Sequence, residues 1–215
     1  MSHDHKHGHS HSHSHSHHHA GLVHSHDHHH GPSGDWNEGT VQWYVDKFGE
    51  WPSQRLLAGL LELDAGATVV DIGCGTGALL RILRDRHAGV QTVGVDGSAE
   101  MISVAREQTD DEAVVFHVAD SAALPLDDNS ADVVVLLNAL HHFPRPQAAM
   151  SEVVRVLKPG GTVWVGTDED VYDMAGWSNG RVRDELSGAG VRRIRQTSRH
   201  EGDVVLNVLH GVLRG

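Results

Sequence analysis

The chain reads as an α/β protein, doubly wound, with a mostly parallel seven-stranded sheet that ends in an antiparallel hairpin. Three observations predict this. Between residues 68 and 166 short apolar runs alternate with helix-period segments, the mark of repeated strand–helix units. The first run stops at Asp71 and opens into Gly73-Cys74-Gly75-Thr76-Gly77, as a buried strand does when it turns sharply into a helix. The last two apolar runs are separated by His200-Glu201-Gly202-Asp203, too short for a parallel crossover and suited to a hairpin.

The first 34 residues stand apart. Fifteen of the 21 histidines lie between His3 and His30, set among Ser, Gly and Asp with almost no apolar residue. Such a composition cannot bury enough surface to offset its ordering entropy, so disorder is expected. It lacks the apolar stretch of a signal peptide and the arginines of a transit peptide. Gly31-Pro32-Ser33-Gly34 is a linker, which leaves a tail over 1–34 and a domain over 35–215.

Within the domain, apolar residues recur at helical spacing from Thr40 to Leu63. They predict two helices meeting at Trp51-Pro52, where Pro52 suits a first turn. Strands are expected at Thr68–Asp71, Gln91–Val95, Val114–Val118, Asp132–Leu137 and Thr162–Gly166, with helices Gly77–Arg86, Ala99–Gln108 and Pro146–Leu157 between them. Ser98 is placed to cap the second of these helices, and Pro159-Gly160-Gly161 forces a turn after the third. A helix over Ser178–Ser187 stops at Gly188 and Gly190, and strands Val191–Ser198 and Val204–Leu213 close the sheet.

The formal charge is −12, and nearly all the excess acid lies after residue 34, which argues against a nucleic-acid partner. The arginines between Arg181 and Arg199 are the local exception, and a solvated helix face and edge strand account for them. No stretch is long and apolar enough to span a membrane. The single cysteine, Cys74, forbids an intramolecular disulfide and fits a cytoplasmic protein. Inside the glycine turn it reads as a packing residue rather than a nucleophile.

Nineteen residues past Gly77 the second apolar run ends at Asp96. Glycine lets the backbone approach a ligand closely, and a carboxylate at the next strand tip is where ribose hydroxyls are held. The pair predicts a ligand built on adenosine. Gly73-x-Gly75-x-x-Ala78 also fits the looser dinucleotide fingerprint. Asp71 tips the balance, because a carboxylate there would repel a pyrophosphate and suit a cationic amino-acid group. Asp120 offers a third acidic strand tip, able to accept from an adenine amino group. A terminal antiparallel hairpin is unusual for a nicotinamide domain.

On these residues the chain resembles the class I S-adenosylmethionine-dependent methyltransferases, in particular the small-molecule group that includes quinone-biosynthesis enzymes. The likeness covers residues 66 to 167. Asp71–Gly77 is similar to the first motif and Gly94-Val95-Asp96-Gly97-Ser98-Ala99-Glu100-Met101 to the second. Ala119-Asp120-Ser121 with Leu124-Pro125-Leu126 is similar to the third. Asn138-Ala139-Leu140-His141-His142-Phe143 and Arg155-Val156-Leu157-Lys158-Pro159-Gly160-Gly161 are similar to the later ones. The resemblance implies a Rossmann-like methyltransferase fold. It implies that Gly73, Gly75 and Gly77 cradle the methionine moiety while Asp71 holds its ammonium. Asp96, beside Gly97 and Ser98, would take the ribose hydroxyls. Met101 would pack on the adenine, Asp120 and the Ser121 backbone would read its amino edge, and the Asn138 backbone would line the approach to the methyl group. It also implies that residues 35–65 form a helical lid over a cofactor-binding core of 66–215. Trp36, Trp43, Tyr44, Phe48 and Trp51 concentrate there, either to enclose a planar or apolar small-molecule acceptor or simply to dock the helices.

Methyl transfer is an in-line displacement from an activated sulfonium, so alignment is the enzyme's main contribution, and effective molarities supply about 7–11 kcal/mol. A base is needed only if the acceptor arrives protonated. His141 and His142 are placed to serve, although a capping or packing role fits them better. The tail adds a second chemistry. His3, His5, His7, His9, His11, His13, His15, His17, His18, His19, His24, His26, His28, His29 and His30 offer many imidazoles on a flexible backbone, suited to multi-site binding of Zn²⁺, Ni²⁺ or Cu²⁺. Two functions are therefore open: a methyltransferase with an accessory metal-binding tail, or a metal-binding or metal-sensing protein that keeps the fold with weak turnover.

Overall fold

The computed structural model describes residues 38–49, 51–169, 171 and 177–215. Its helices are α1 (Glu38–Phe48), α2 (Pro52–Ala58), α3 (Ala78–Arg86), α4 (Ala99–Glu107), α5 (Pro146–Val156) and α6 (Asn179–Gly188). Its strands are β1 (Thr68–Ile72), β2 (Gln91–Asp96), β3 (Val114–Val118), β4 (Ala131–Leu137), β5 (Leu157–Asp168), β6 (Val191–Glu201) and β7 (Val204–Leu213). They form one sheet in the order β3-β2-β1-β4-β5-β7-β6, parallel from β3 to β5, with β7 antiparallel to both neighbours.

Both faces of the sheet are covered, which is why its central strands are apolar without interruption. Along β4 the side chains alternate: Val134 and Leu136 pack with Met150 and Val153 of α5 and Leu186 of α6. Val133 and Val135 pack with Leu57 of α2 and Leu79 and Leu83 of α3. Helix starts follow the local chemistry. Pro52 and Pro146 open α2 and α5, and the Ser98 and Ser178 hydroxyls accept from Met101 N at 3.1 Å and Arg181 N at 3.2 Å.

Several boundaries differ from the sequence reading, two of them with a clear structural cause. α5 passes into β5 at Leu157 rather than ending in a turn at Pro159-Gly160-Gly161. Leu157 is fully buried and pairs with Ala131 before the register shifts to Val133↔Thr162, so the glycines form an irregularity inside the strand. β6 runs on to Glu201, and a second irregularity lies between Arg192 and Arg195, where Arg193 has φ 55°. The β6 arginines Arg192, Arg193, Arg195 and Arg199 are exposed on the sheet edge, as the solvated-edge reading expects. No helix among the described residues is long and apolar enough to cross a membrane.

Because β1 is flanked by β2 on one side and β4 on the other, the winding reverses between β1 and β4. A crevice opens there at the carboxyl ends of the parallel strands.

Candidate active site

A cavity of about 800 Å³ fills that crevice. The turn after β1 forms its floor. Gly73, Gly75 and Gly77 have φ of 77°, 52° and 73°. At Gly73 a Cβ would lie 2.5 Å from the Ala139 Cβ, so glycine is required for the turn to pack. At Gly75 a Cβ would meet nothing within 4 Å, so this glycine leaves room inside the cavity. Gly73 N and Cys74 N donate to Val95 O at 2.7 and 3.1 Å, tying the turn to the end of β2.

Asp96 holds the same turn from the side. Its Oδ2 accepts from Gly75 N at 2.9 Å and its Oδ1 from Ser98 N at 2.8 Å. Burial raises its pKa, against the backbone donors that lower it. Asp71 lies at the centre of the sheet, opposite Gly94 and Val135, and is 2% exposed. Its Oδ1 is buried with no hydrogen-bond partner among the described residues. Burial first, and then the Asp96 charge, push its pKa up to about 7. A carboxylate left so poorly compensated in the wall of a cavity is built to receive a cation.

The remaining expected residues are brought together with varying fidelity. Gly97, Ser98, Met101, Asp120, Ser121 and Asn138 all line the cavity. Asp120 is half exposed, its Oδ1 accepting from Ala122 N at 2.8 Å and its Oδ2 paired with Arg145 at 2.7 Å, and these contacts lower its pKa. The Asn138 N–H donates to Gly166 O at 2.9 Å, and φ of 50° turns the chain there. Its side chain exchanges hydrogen bonds with Asp168, donating to Oδ2 at 2.9 Å and accepting from the backbone N at 2.8 Å. His141 and His142 sit in a 3₁₀ turn with ring centroids 3.9 Å apart; His142 lines the cavity and His141 does not. Cys74 is buried with its thiol pKa pushed well up, consistent with packing rather than nucleophilic use.

Of the aromatic cluster, Tyr44 and Trp51 line the cavity. Trp43 lies instead under the Lys47 ammonium, 5.0 Å from the ring centroid. Trp36 and the side chain of Phe48 lie outside the described residues. Burial, then the charges of Asp96, Asp168 and Asp71, push the Tyr44 phenol up to about 12, so it stays protonated as a donor.

Asp168 was not among the residues singled out from sequence. It ends β5 as Asp71 and Asp96 mark the ends of β1 and β2, and a carboxylate at a parallel strand tip was the available signal. Its oxygens accept from the Trp51 indole at 3.1 Å, the Ser53 hydroxyl and the Asn138 amide, joining α2 to the ends of β4 and β5. Glu169 beside it and Asp203 before β7 also line the cavity, and Phe143 lines it with its ring against Gly73. The histidines of the tail lie outside the described residues. Among the described residues no group of three His, Cys, Asp or Glu side chains could hold a metal ion.

Residues 70–165 match the family model described as a methyltransferase domain. That segment, just under half of the chain, is similar to methyltransferase domains. Over 140 residues the chain is 36% identical to 27-O-demethylrifamycin SV methyltransferase of Amycolatopsis mediterranei, covering 63% of this chain and 51% of that protein. It is 31% identical over 139 residues to the tRNA (carboxymethyluridine(34)-5-O)-methyltransferase of Arabidopsis thaliana, covering 61% of this chain and 32% of that one. The chain thus spans about half the length of the first relative and about a third of the second. In fold it is similar to a phosphoethanolamine N-methyltransferase of Haemonchus contortus, solved with phosphomonomethylethanolamine and S-adenosylhomocysteine. There the TM-score is 0.70 at 18% identity, over 84% of this chain and 58% of that one. The doubly wound sheet with its terminal hairpin is the Rossmann-like fold of S-adenosylmethionine-dependent methyltransferases.

Proposed function

We propose that the protein transfers a methyl group from S-adenosylmethionine to a small-molecule acceptor. The observation that carries this reading is the buried Asp71 oxygen, unpartnered among the described residues, in a cavity that Gly75 and Asp96 also line. That set fits the donor: Asp71 would take its ammonium, the Gly73–Gly77 turn its methionine chain, and Asp96 its ribose hydroxyls. Gly97 and Ser98 shape the same edge. Met101 and Ser121 would bracket the adenine, with Asp120 at its amino edge and the Asn138 backbone beside the reacting methyl. When bound, S-adenosylmethionine supplies an electrophilic methyl on a sulfonium. The chain's own residues bind, orient and shield. Tyr44 and Trp51 close the cavity from the side of residues 35–65, which we read as a lid on the core of 66–215. His142 lies within the cavity, where it could hold a proton from an acceptor that arrives protonated.

A small molecule is favoured over tRNA, on which one relative's name says it acts, because the cavity wall is acidic and the chain carries −12. The tail over 1–34 is read as an accessory site for Zn²⁺, Ni²⁺ or Cu²⁺. A screen of small-molecule acceptors with methyl-labelled cofactor tests the function. Label in a small molecule and stoichiometric S-adenosylhomocysteine support it. Label transferred to tRNA alone, or no label transferred by protein that binds the cofactor, counts against it.

A further inference from the structure

We propose that Asp168 is a positioning residue: it clamps Asn138 into the bend that lines the cavity and fastens that bend to the start of α2. This rests on the methyl-transfer reading, in which the Asn138 backbone stands beside the reacting methyl.

The bend is distinctive in itself. Asn138 has φ of 50°, a left-handed conformation uncommon for any residue but glycine and easiest, among the others, for Asn and Asp. It comes one residue after β4, and its N–H donates to Gly166 O at 2.9 Å, so the pairing of β4 with β5 continues up to the bend. The next residue is Ala139, whose Cβ lies 2.5 Å from where a Gly73 Cβ would stand. The bend therefore backs directly on the glycine turn after β1. Contact that tight transmits a shift of one to the other.

Both ends of the Asn138 carboxamide are taken by one partner. Its Nδ2 donates to Asp168 Oδ2 at 2.9 Å, and its Oδ1 accepts from the Asp168 N–H at 2.8 Å. That geometry dictates the residue types. Asn138 must donate at one end and accept at the other, which a carboxylate cannot do. Asp168 must accept from the Trp51 indole, the Ser53 hydroxyl and the Asn138 amide together. A carboxamide at position 168 would set its own NH₂ against one of those donors. Trp51 immediately precedes α2, and the buried Ser53 lies in its first turn. Trp51, Asn138 and Asp168 line the same cavity as Gly73. Such a network holds its members to one geometry, which is what an in-line displacement needs from the wall beside the methyl.

The full chain is titrated calorimetrically with S-adenosylhomocysteine and with sinefungin, which carries an amine-bearing carbon where the donor has its methyl sulfonium. The two probes share both ends of the donor, so the ratio of their affinities reads the wall beside the methyl. Asp168→Asn should lower the affinity for sinefungin relative to S-adenosylhomocysteine about tenfold. Asn138→Gly keeps the Asp168 charge and permits the same φ but removes the clamp, and it should lower the ratio as far. The exchanged pair Asn138→Asp/Asp168→Asn restores the match of donor to acceptor between the two positions, though not toward Trp51, and should recover about threefold of the loss. A role in stability alone would weaken both probes equally and leave the ratio unchanged. An unchanged ratio in Asn138→Gly or in folded Asp168→Asn, or no recovery in the exchanged pair, overturns the proposal. Failure of the full chain to bind S-adenosylhomocysteine overturns the methyl-transfer reading, and this inference with it.

Discussion

Asp71 carries the most chemistry of any single residue, because its carboxyl is buried, lacks a hydrogen-bond partner at Oδ1 among the described residues and has its pKa pushed up to about 7. A carboxyl whose folded pKa is raised contributes stability that is fully present below its unfolded pKa of roughly 4, and loses it as pH rises through about 7. The unliganded protein should therefore be destabilised at pH 8 by a few kcal/mol on this account. Asp71→Asn should melt higher than the parent at pH 8, and the difference should vanish near pH 4 in a thermal melt. The ligand reverses the preference, since an ammonium needs the ionised carboxylate. Affinity for S-adenosylhomocysteine should thus fall about tenfold per pH unit below 7, and a calorimetric series across that range reads it directly. Asp71, Asp96 and the glycines were legible in the sequence because a strand end, a turn and a second strand end occupy fixed places in it. Asp168 was not legible as a hub, because Trp51, Ser53 and Asn138 reach it only after folding.

At the scale of elements, the turn after β1 separates packing from binding. Gly73→Ala would put a methyl 2.5 Å from the Ala139 Cβ at a φ of 77°, so it should lower the melting temperature markedly. Gly75→Ala meets no neighbour within 4 Å and pays only the left-handed strain, about 1–2 kcal/mol. It should stay folded and lose affinity for S-adenosylhomocysteine, because the new methyl occupies ligand space. Circular dichroism melts with parallel titrations distinguish the two. The lock between α2 and β5 makes its own prediction: Ser53→Ala leaves an Asp168 oxygen short of a donor and should cost about 1–3 kcal/mol in denaturant unfolding. Strand positions in the sequence were readable from their apolar runs and flanking glycines. The start of β5 was not, since Pro159-Gly160-Gly161 signals a turn locally, while burial of Leu157 and its pairing with Ala131 extend the strand through it.

For the whole molecule, the fold follows from a chain whose central strands are apolar on both faces and whose two terminal strands can only return antiparallel. That arrangement puts the switch point between β1 and β4 and gathers residues from five strand ends into one acidic cavity, a convergence no local pattern displays. The tail is read as accessory, and every residue assigned to the donor lies outside it. Zn²⁺ should therefore bind the full chain at several sites while leaving affinity for S-adenosylhomocysteine unchanged, a pairing that sequential titration calorimetry can read. The most direct test of the central claim is titration of the full chain with S-adenosylhomocysteine at pH 8, beside folded Asp71→Asn. Saturable one-to-one binding, weakened at least about tenfold in the variant, is the predicted result. No binding by the full chain, or undiminished binding by Asp71→Asn, would contradict it.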